Sequence, residues 1–234
     1  MKKNLIWLIA AFILTALNVG AQKVSPTLTY IDKDGNPHDT LCIEDGQAPV
    51  DVTFHANPSD MGDLTPSYEW HFYKKDGTEG GNKELFVRYE EETQYTFTES
   101  GSYTIILKTI LDSEGTQLDD ETITVFIADS YLEFPNAFSP NNGDDINNIY
   151  GAKSNYKSIV EFHGYIFNRW GQKLYDWTDP DGGWDGKYKG KDVKDGVYFL
   201  LCKARGADGK EYNIRKDVNL LRKFVEGGRT GGTN

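Results

Sequence analysis

Apolar side chains in this chain recur at every second position, and nowhere at the spacing of a helix face. Val50-Asp51-Val52-Thr53-Phe54 alternates apolar and polar residues, the pattern of a half-buried strand. Tyr68-Glu69-Trp70-His71-Phe72 does the same with aromatics. Residues 27–31, 85–89, 95–97 and 122–127 are further short strand candidates. Residues 102–111 are β-branched and apolar on both faces, which predicts a central strand covered on each side. Asp32-Lys33-Asp34-Gly35-Asn36-Pro37, Lys75-Asp76-Gly77 and Glu114-Gly115 punctuate these runs as turns. Such spacing over residues 22–130 argues for a β-sandwich.

Residues 131–222 are again β-rich, with a boundary near 129–133. Phe162, Gly164 and Ile166 alternate with His163, Tyr165 and Phe167, and a hairpin turns through Trp170-Gly171-Gln172 into residues 173–177. After the turn cluster Asp179-Pro180-Asp181-Gly182-Gly183, residues 196–203 and 212–221 form a second pair around Gly206-Ala207-Asp208-Gly209. The expectation is an all-β protein of two small antiparallel β-sandwich domains, the second the shorter.

Met1-Lys2-Lys3-Asn4 precedes an uncharged, largely apolar run over residues 5–17, then Asn18-Val19-Gly20-Ala21-Gln22. This reads as a secretory signal peptide, residues 1–21, cleaved after Ala21. The run falls short of the roughly 20 residues that span a bilayer, and no later run could anchor the chain, so no stable membrane insertion is expected. Residues 223–234 are Gly-rich and read as a flexible tail. The formal charge is −11. A chain so acidic is repelled by phosphate backbones, which excludes nucleic acid as a partner.

No Gly-x-Ser-x-Gly, His-Glu-x-x-His, Cys-x-x-Cys or phosphate-loop signature occurs. His38, His55, His71 and His163 are scattered, and no enzymatic activity is expected. Cys42 and Cys202 lie in different domains; they read as small buried hydrophobes on strands, with one long-range disulfide as the alternative. No cofactor is expected. The single candidate cation site is the loop over residues 141–148, where Asn142, Asp144, Asp145 and Asn147 offer oxygens to a weakly held Ca²⁺. The same residues suit a polar turn capped by its own side chains.

Four blocks stand out in the C-terminal part: Phe134-Pro135-Asn136-Ala137-Phe138-Ser139-Pro140-Asn141, Ile166-Phe167-Asn168-Arg169-Trp170-Gly171, Gly183-Trp184-Asp185-Gly186, and Asp195-Gly196-Val197-Tyr198 with a closing Leu220-Leu221-Arg222. In this order they resemble the gliding-motility-associated C-terminal domain, also called the type B sorting domain of the type IX secretion system. The resemblance singles out Phe138, Pro140, Asn141, Asn168, Arg169, Trp170, Gly171, Trp184, Asp185, Gly186, Gly196, Tyr198 and Arg222 as motif residues, serving either recognition or the fold. Arg169 and Trp170 have two readings: a surface read by an export component, or Trp170 packed under the sheet with Arg169 over a ring such as Trp184. The resemblance implies export through the periplasm to the medium or the outer cell surface. Its implied partners are the type IX outer-membrane translocon and a membrane-barrel adaptor.

The first domain, at Tyr68-Glu69-Trp70-His71-Phe72 and at Tyr95 to Tyr103 with Gly101 two residues before the Tyr, resembles a PKD domain with an immunoglobulin-like fold. Its first block departs from that family after Trp70, running His71-Phe72-Tyr73-Lys74-Lys75-Asp76-Gly77. The resemblance implies a spacer or a binding module for glycan or protein. The alternative readings of the whole chain are a surface adhesin or structural component, an accessory subunit of the secretion or gliding apparatus, and, behind these, an enzyme whose site carries no recognised signature.

Overall fold

The computed structural model describes residues 21–77, 80–112, 114–140 and 147–222. The signal peptide, apart from Ala21, and the tail over 223–234 lie outside the described residues. No helix occurs among those described.

The first module comprises β1 (Lys23–Val24), β2 (Thr27–Ile31), β3 (Pro37–Thr40), β4 (Cys42–Gly46), β5 (Val50–His55), β6 (Pro58–Ser59), β7 (Ser67–Lys75), β8 (Asn82–Arg88), β9 (Glu92–Phe97), β10 (Gly101–Ile110) and β11 (Glu121–Ile127). They form a four-stranded sheet, β3-β2-β5-β9, facing a five-stranded sheet, β4-β11-β10-β7-β8, with β1 and β6 a short separate pair. Phe54, Trp70, Phe72, Phe97, Ile105 and Ile123 are buried between the sheets. This is the two-layer solution for strands with one apolar face. Tyr103 fixes the corner between β9 and β10: its ring is buried, and its hydroxyl donates to the Glu99 carbonyl at 2.9 Å. Gly101, at φ +131°, supplies the bend that lets the ring fold back.

Strand β10 lies in the middle of its sheet, but only one of its faces is covered. Tyr103, Ile105, Leu107 and Thr109 are buried, while Thr104, Ile106, Lys108 and Ile110 are half-buried. No element of the described chain packs over that outer face. Apolar residues on both faces therefore mark a central position within one sheet here, not a strand between two layers.

The second module comprises β12 (Ala137–Phe138), β13 (Tyr150–Gly151), β14 (Ile159–Phe167), β15 (Lys173–Trp177), β16 (Gly183–Trp184), β17 (Lys187–Tyr188), β18 (Lys191–Asp192), β19 (Gly196–Gly206) and β20 (Glu211–Leu220). One five-stranded sheet, β12-β20-β19-β14-β15, is faced by the short pairs β13-β16 and β17-β18. The all-β reading holds, but the purely antiparallel one needs amendment. Each five-stranded sheet begins with a parallel edge pair, β4 with β11 and β12 with β20. In both, an edge strand from the earlier part of the module pairs alongside the module's last strand. The second module needs no full second sheet because its core is filled by large pegs: Trp184, Tyr150 and Phe134 are all buried. Gly164 stands opposite Trp177, and a Cβ there would come within 2.5 Å of the indole. The Tyr corner recurs as well. Gly196 has φ +149°, and the Tyr198 hydroxyl donates to the Lys194 carbonyl at 2.6 Å.

The two modules share a joint with little slack. Ala128 N–H donates to Gly46 O at 2.9 Å, Ser100 Oγ to Asp129 at 2.7 Å, and Ser130 Oγ to Asp208 at 2.7 Å. Beyond them, Tyr131 and Lys157 exchange backbone hydrogen bonds. The tip of the β19–β20 hairpin reaches the first module. Ala207 belongs to the first module's core, and its carbonyl accepts the Ser100 N–H at 3.0 Å. Lys157 pairs with Asp45 at 2.9 Å across the same joint.

Both cysteines are free thiols, Cys42 half-buried on β4 and Cys202 buried on β19. Burial pushes the Cys202 thiol up to about 12. Since the thiolate is the reactive form, a maleimide at pH 8 is expected to leave Cys202 unmodified until denaturant is added. Mass spectrometry of the labelled peptides checks this; rapid labelling of Cys202 in the native chain would contradict the buried placement.

Candidate functional site

Most motif residues of the second module converge on one knot. The Arg222 side chain is 18% exposed and reaches three separate segments. Its guanidinium donates to the carbonyl of Val193, to the carbonyl of Gly186 at 3.1 Å and to Asp195 at 3.2 Å. Its backbone N–H donates to the same Asp195 carboxylate at 3.1 Å. Gly186, at φ +78°, is where the blocks meet: a Cβ there would lie 3.1 Å from Pro140, from Leu220 and from Arg222. Asp185 caps this turn by accepting the Lys187 N–H at 3.0 Å. Trp184 lies beneath it, fully buried, edge-on to Tyr198 at 5.0 Å and tilted against Phe138 at 5.3 Å. Its indole N–H donates to Lys187 O at 2.8 Å. Phe138, Pro140, Trp184, Asp185, Gly186, Gly196, Tyr198 and Arg222 thus hold one another, although up to about eighty residues separate them. Each is explained by the fold.

The Asn168–Gln172 loop differs. Asn168 Oδ1 accepts the N–H groups of Trp170 and Gln172, both at 3.0 Å, and Gly171 has φ +78°. The same turn is built twice in the first module. Asp32 Oδ1 accepts the N–H groups of Asp34 at 3.0 Å and Asn36 at 2.8 Å, with Gly35 at φ +84°. Asp112 Oδ1 accepts those of Glu114 and Thr116, both at 3.0 Å, with Gly115 at φ +85°. This hairpin loop needs Asx at its first position and Gly at its fourth. Trp170 occupies the place of Asp34 and Glu114, so the turn does not require an indole there.

Trp170 is not a core peg. It is 76% exposed. Arg169 does not lie over Trp184; it stacks on Trp170 itself, 4.3 Å from the ring centroid. The reason is local: a tip residue of a two-stranded hairpin projects past the sheet and has no second layer to enter. Behind the loop, an open groove of about 900 Å³ runs over the outer face of the sheet. Phe167, Phe199 and Leu201 form its floor, with Arg215 and Asp217 at its side.

Beside the loop stands the β17–β18 hairpin, joined to it by a hydrogen bond from Gln172 Nε2 to the Tyr188 hydroxyl at 3.1 Å. The motif reading passes over this hairpin. Its legible signal is Lys187, Lys189 and Lys191 at every second position of an acidic chain.

Of the cation candidates, Asn142, Asp144 and Asp145 lie outside the described residues, as does Asn141. The Asn147 carbonyl accepts the Ser139 N–H at 2.9 Å. Among the described residues no group of three or more His, Cys, Asp or Glu is placed to hold a metal.

The four histidines sit apart, each beside a carboxylate: His38 with Asp32 at 2.8 Å, His55 with Glu92 at 2.8 Å, His71 between Glu69 at 3.1 Å and Glu84 at 2.8 Å, and His163 with Asp176 at 3.3 Å. The His38 hydrogen bond, then that from the Asn36 backbone, holds the Asp32 carboxyl well below the usual range. The His71 hydrogen bond is the first cause of the lowering at Glu84; at Asp176 Lys173 comes first and His163 second. Lowered carboxyls stabilise the fold above their unfolded value, near 4, and that contribution is lost as pH falls through the folded values. The urea midpoint is therefore expected to drop as pH goes from about 4 towards 2. Unfolding curves followed by circular dichroism at stepped pH check this, and a midpoint that rises on acidification would contradict the pairing.

A family model described as the CHU_C Type IX secretion signal domain matches residues 132–216. No curated protein matches the chain. Among solved structures, the PmoD soluble domain from a Methylocystis species is 13% identical, with a TM-score of 0.31, over 47% of this chain and 94% of that one. A Bacteroides ovatus protein, SGBP-B of a mixed-linkage glucan utilization locus, is 14% identical, with a TM-score of 0.29, over 86% of this chain and 47% of its own. Dimeric latent PorU from Porphyromonas gingivalis is 12% identical, with a TM-score of 0.26, over 86% of this chain and 20% of its own. At that level the likenesses say nothing about ligand or activity. The match over 132–216 implies a cargo sorted by the type IX secretion machinery, and so export to the cell surface or the medium. Residues 132–216, within the C-terminal module, are thus similar to the CHU_C type IX secretion signal domain.

Proposed function

We propose that the chain is a non-enzymatic exported protein in which the PKD-like module, as binding or spacer cargo, is carried across the outer membrane by its C-terminal module. In this reading a signal peptide delivers it to the periplasm, and the translocon with a membrane-barrel adaptor takes it onward. The observation that carries the reading is the match of residues 132–216 to a type IX signal domain. The exposed pair Arg169-Trp170, mounted on a turn that does not need it, is the part of the module free to be read. The dispersed, carboxylate-paired histidines and the buried Cys202 thiol favour a role without catalysis.

The test is export of the full chain in a gliding bacterium with and without a working translocon, comparing wild type with the double variant Arg169→Ala/Trp170→Ala. Protein in the medium and on the surface is compared with protein left in the periplasm. Translocon-dependent export, lost in the double variant while the periplasmic protein stays folded, is the expected result. Export that ignores the translocon would end the sorting reading.

A further inference from the structure

We propose that the loop-and-hairpin end of the C-terminal module docks on a membrane surface of anionic lipid headgroups. The inference rests on the reading that this loop is a contact surface, and it names what the surface touches. Trp170 is 76% exposed, whereas Trp70, Trp177 and Trp184 are buried. Arg169 covers one face of the indole at 4.3 Å, so an apolar ring and a cation leave the module together. Beside them the Tyr188 ring carries the Lys189 ammonium at 5.3 Å. Lys189, Lys191 and Lys194 have no ion pair among the described residues, and Lys187 has only Asp185 at 3.4 Å.

Indole rings settle at the level of lipid headgroups, and lysines near an anionic bilayer are drawn to its surface potential. The chemistry favours a lipid surface over an acidic protein. Lysines on flexible stems offer diffuse positive charge, not the rigid forks that match particular carboxylates. Lys187, Lys189 and Lys191 sit on the β17–β18 hairpin and Lys194 just beyond it, not around a concave seat. The charge of the whole chain is consistent with one orientation. Residues 22–130 hold 22 Asp and Glu against 7 Lys and Arg, while residues 131–222 hold 13 against 14. An anionic surface repels the first module and not the second. At physiological salt that repulsion is screened over about 8 Å, so it orients the chain without cancelling the contact at the basic end.

The experiment uses the chain from Gln22 onward and vesicles of phosphatidylcholine with or without phosphatidylglycerol. Co-sedimentation is measured together with tryptophan emission, in which Trp170 is the solvent-exposed contributor. Binding to the anionic vesicles alone is expected, weakened by salt, with a blue shift that Trp170→Ala abolishes. The triple variant Lys189→Gln/Lys191→Gln/Lys194→Gln is expected to lower the partition coefficient about a hundredfold, at about fivefold for each lysine. Absence of binding, or binding that neither variant weakens, overturns the inference. If vesicles are ignored while export still depends on Arg169-Trp170, the loop meets a protein and the sorting reading survives alone. If vesicles bind and the double variant is exported normally, the lipid contact stands without a role in export.

Discussion

Trp184→Ala is expected to unfold the C-terminal module, while Trp170→Ala leaves it standing. Trp184 is fully buried, contacts Phe138 and Tyr198, and donates its indole N–H to Lys187. Truncating a buried Trp costs about 3–5 kcal/mol through lost transfer energy and the cavity left behind. Against a total of about 5–15 kcal/mol for a typical domain, that is enough to leave much of the module open. The Lys187 carbonyl would also lose its partner. Trp170, at a turn set by Asn168 and Gly171, is expected to change stability by no more than about 0.5 kcal/mol when cut to Ala. Urea unfolding followed by circular dichroism separates the two. Equal losses in the two variants would mean that the motif tryptophans share one role, against their placement here.

The second large effect is expected at the joint. Ala207 lies in the first module's core at the tip of a hairpin that belongs to the second. Ala207→Asp would place a carboxylate in that apolar core. Since burying an unpaired charge costs more than a small interface returns, the modules are expected to part. Scattering should then show an extended particle, and amide exchange at Ser100 and at position 207, expected to be slow in the parent chain because both N–H groups are hydrogen-bonded, should become fast. The Tyr corners at Tyr103 and Tyr198, which close within their own modules, should keep each fold. An unchanged scattering profile would show that the joint does not depend on this hairpin.

Much of the strand layout was legible. Residues 27–31 coincide with β2, and the alternation of Phe162, Gly164 and Ile166 marked the inward face of β14, because one-sided burial imposes a period of two. Strand β3 was missed: Pro37-His38-Asp39-Thr40 has little apolar content, and its partner β2 makes it a strand. Neither parallel edge pair was readable, since pairing between distant segments leaves no local pattern. At the site, the motif residues were visible as a set, but not which hold the fold and which face outward. Arg169 and Trp170 gave no sign of this by type. The sister turns at Asp32 and Asp112 decided it, by showing that the same backbone forms with acidic residues where Trp170 stands.

The parallel pairing of β12 with β20, closed by the Arg222 knot, has a bearing on quality control. Residues near the start of the module complete its sheet only by lying against β20, the last strand among the described residues. A chain broken off anywhere before Arg222 cannot present the finished module, however well its first module has folded. A module built this way is assembled only once the polypeptide through Arg222 has been made, so a product broken off earlier carries an open sheet edge in place of the finished fold.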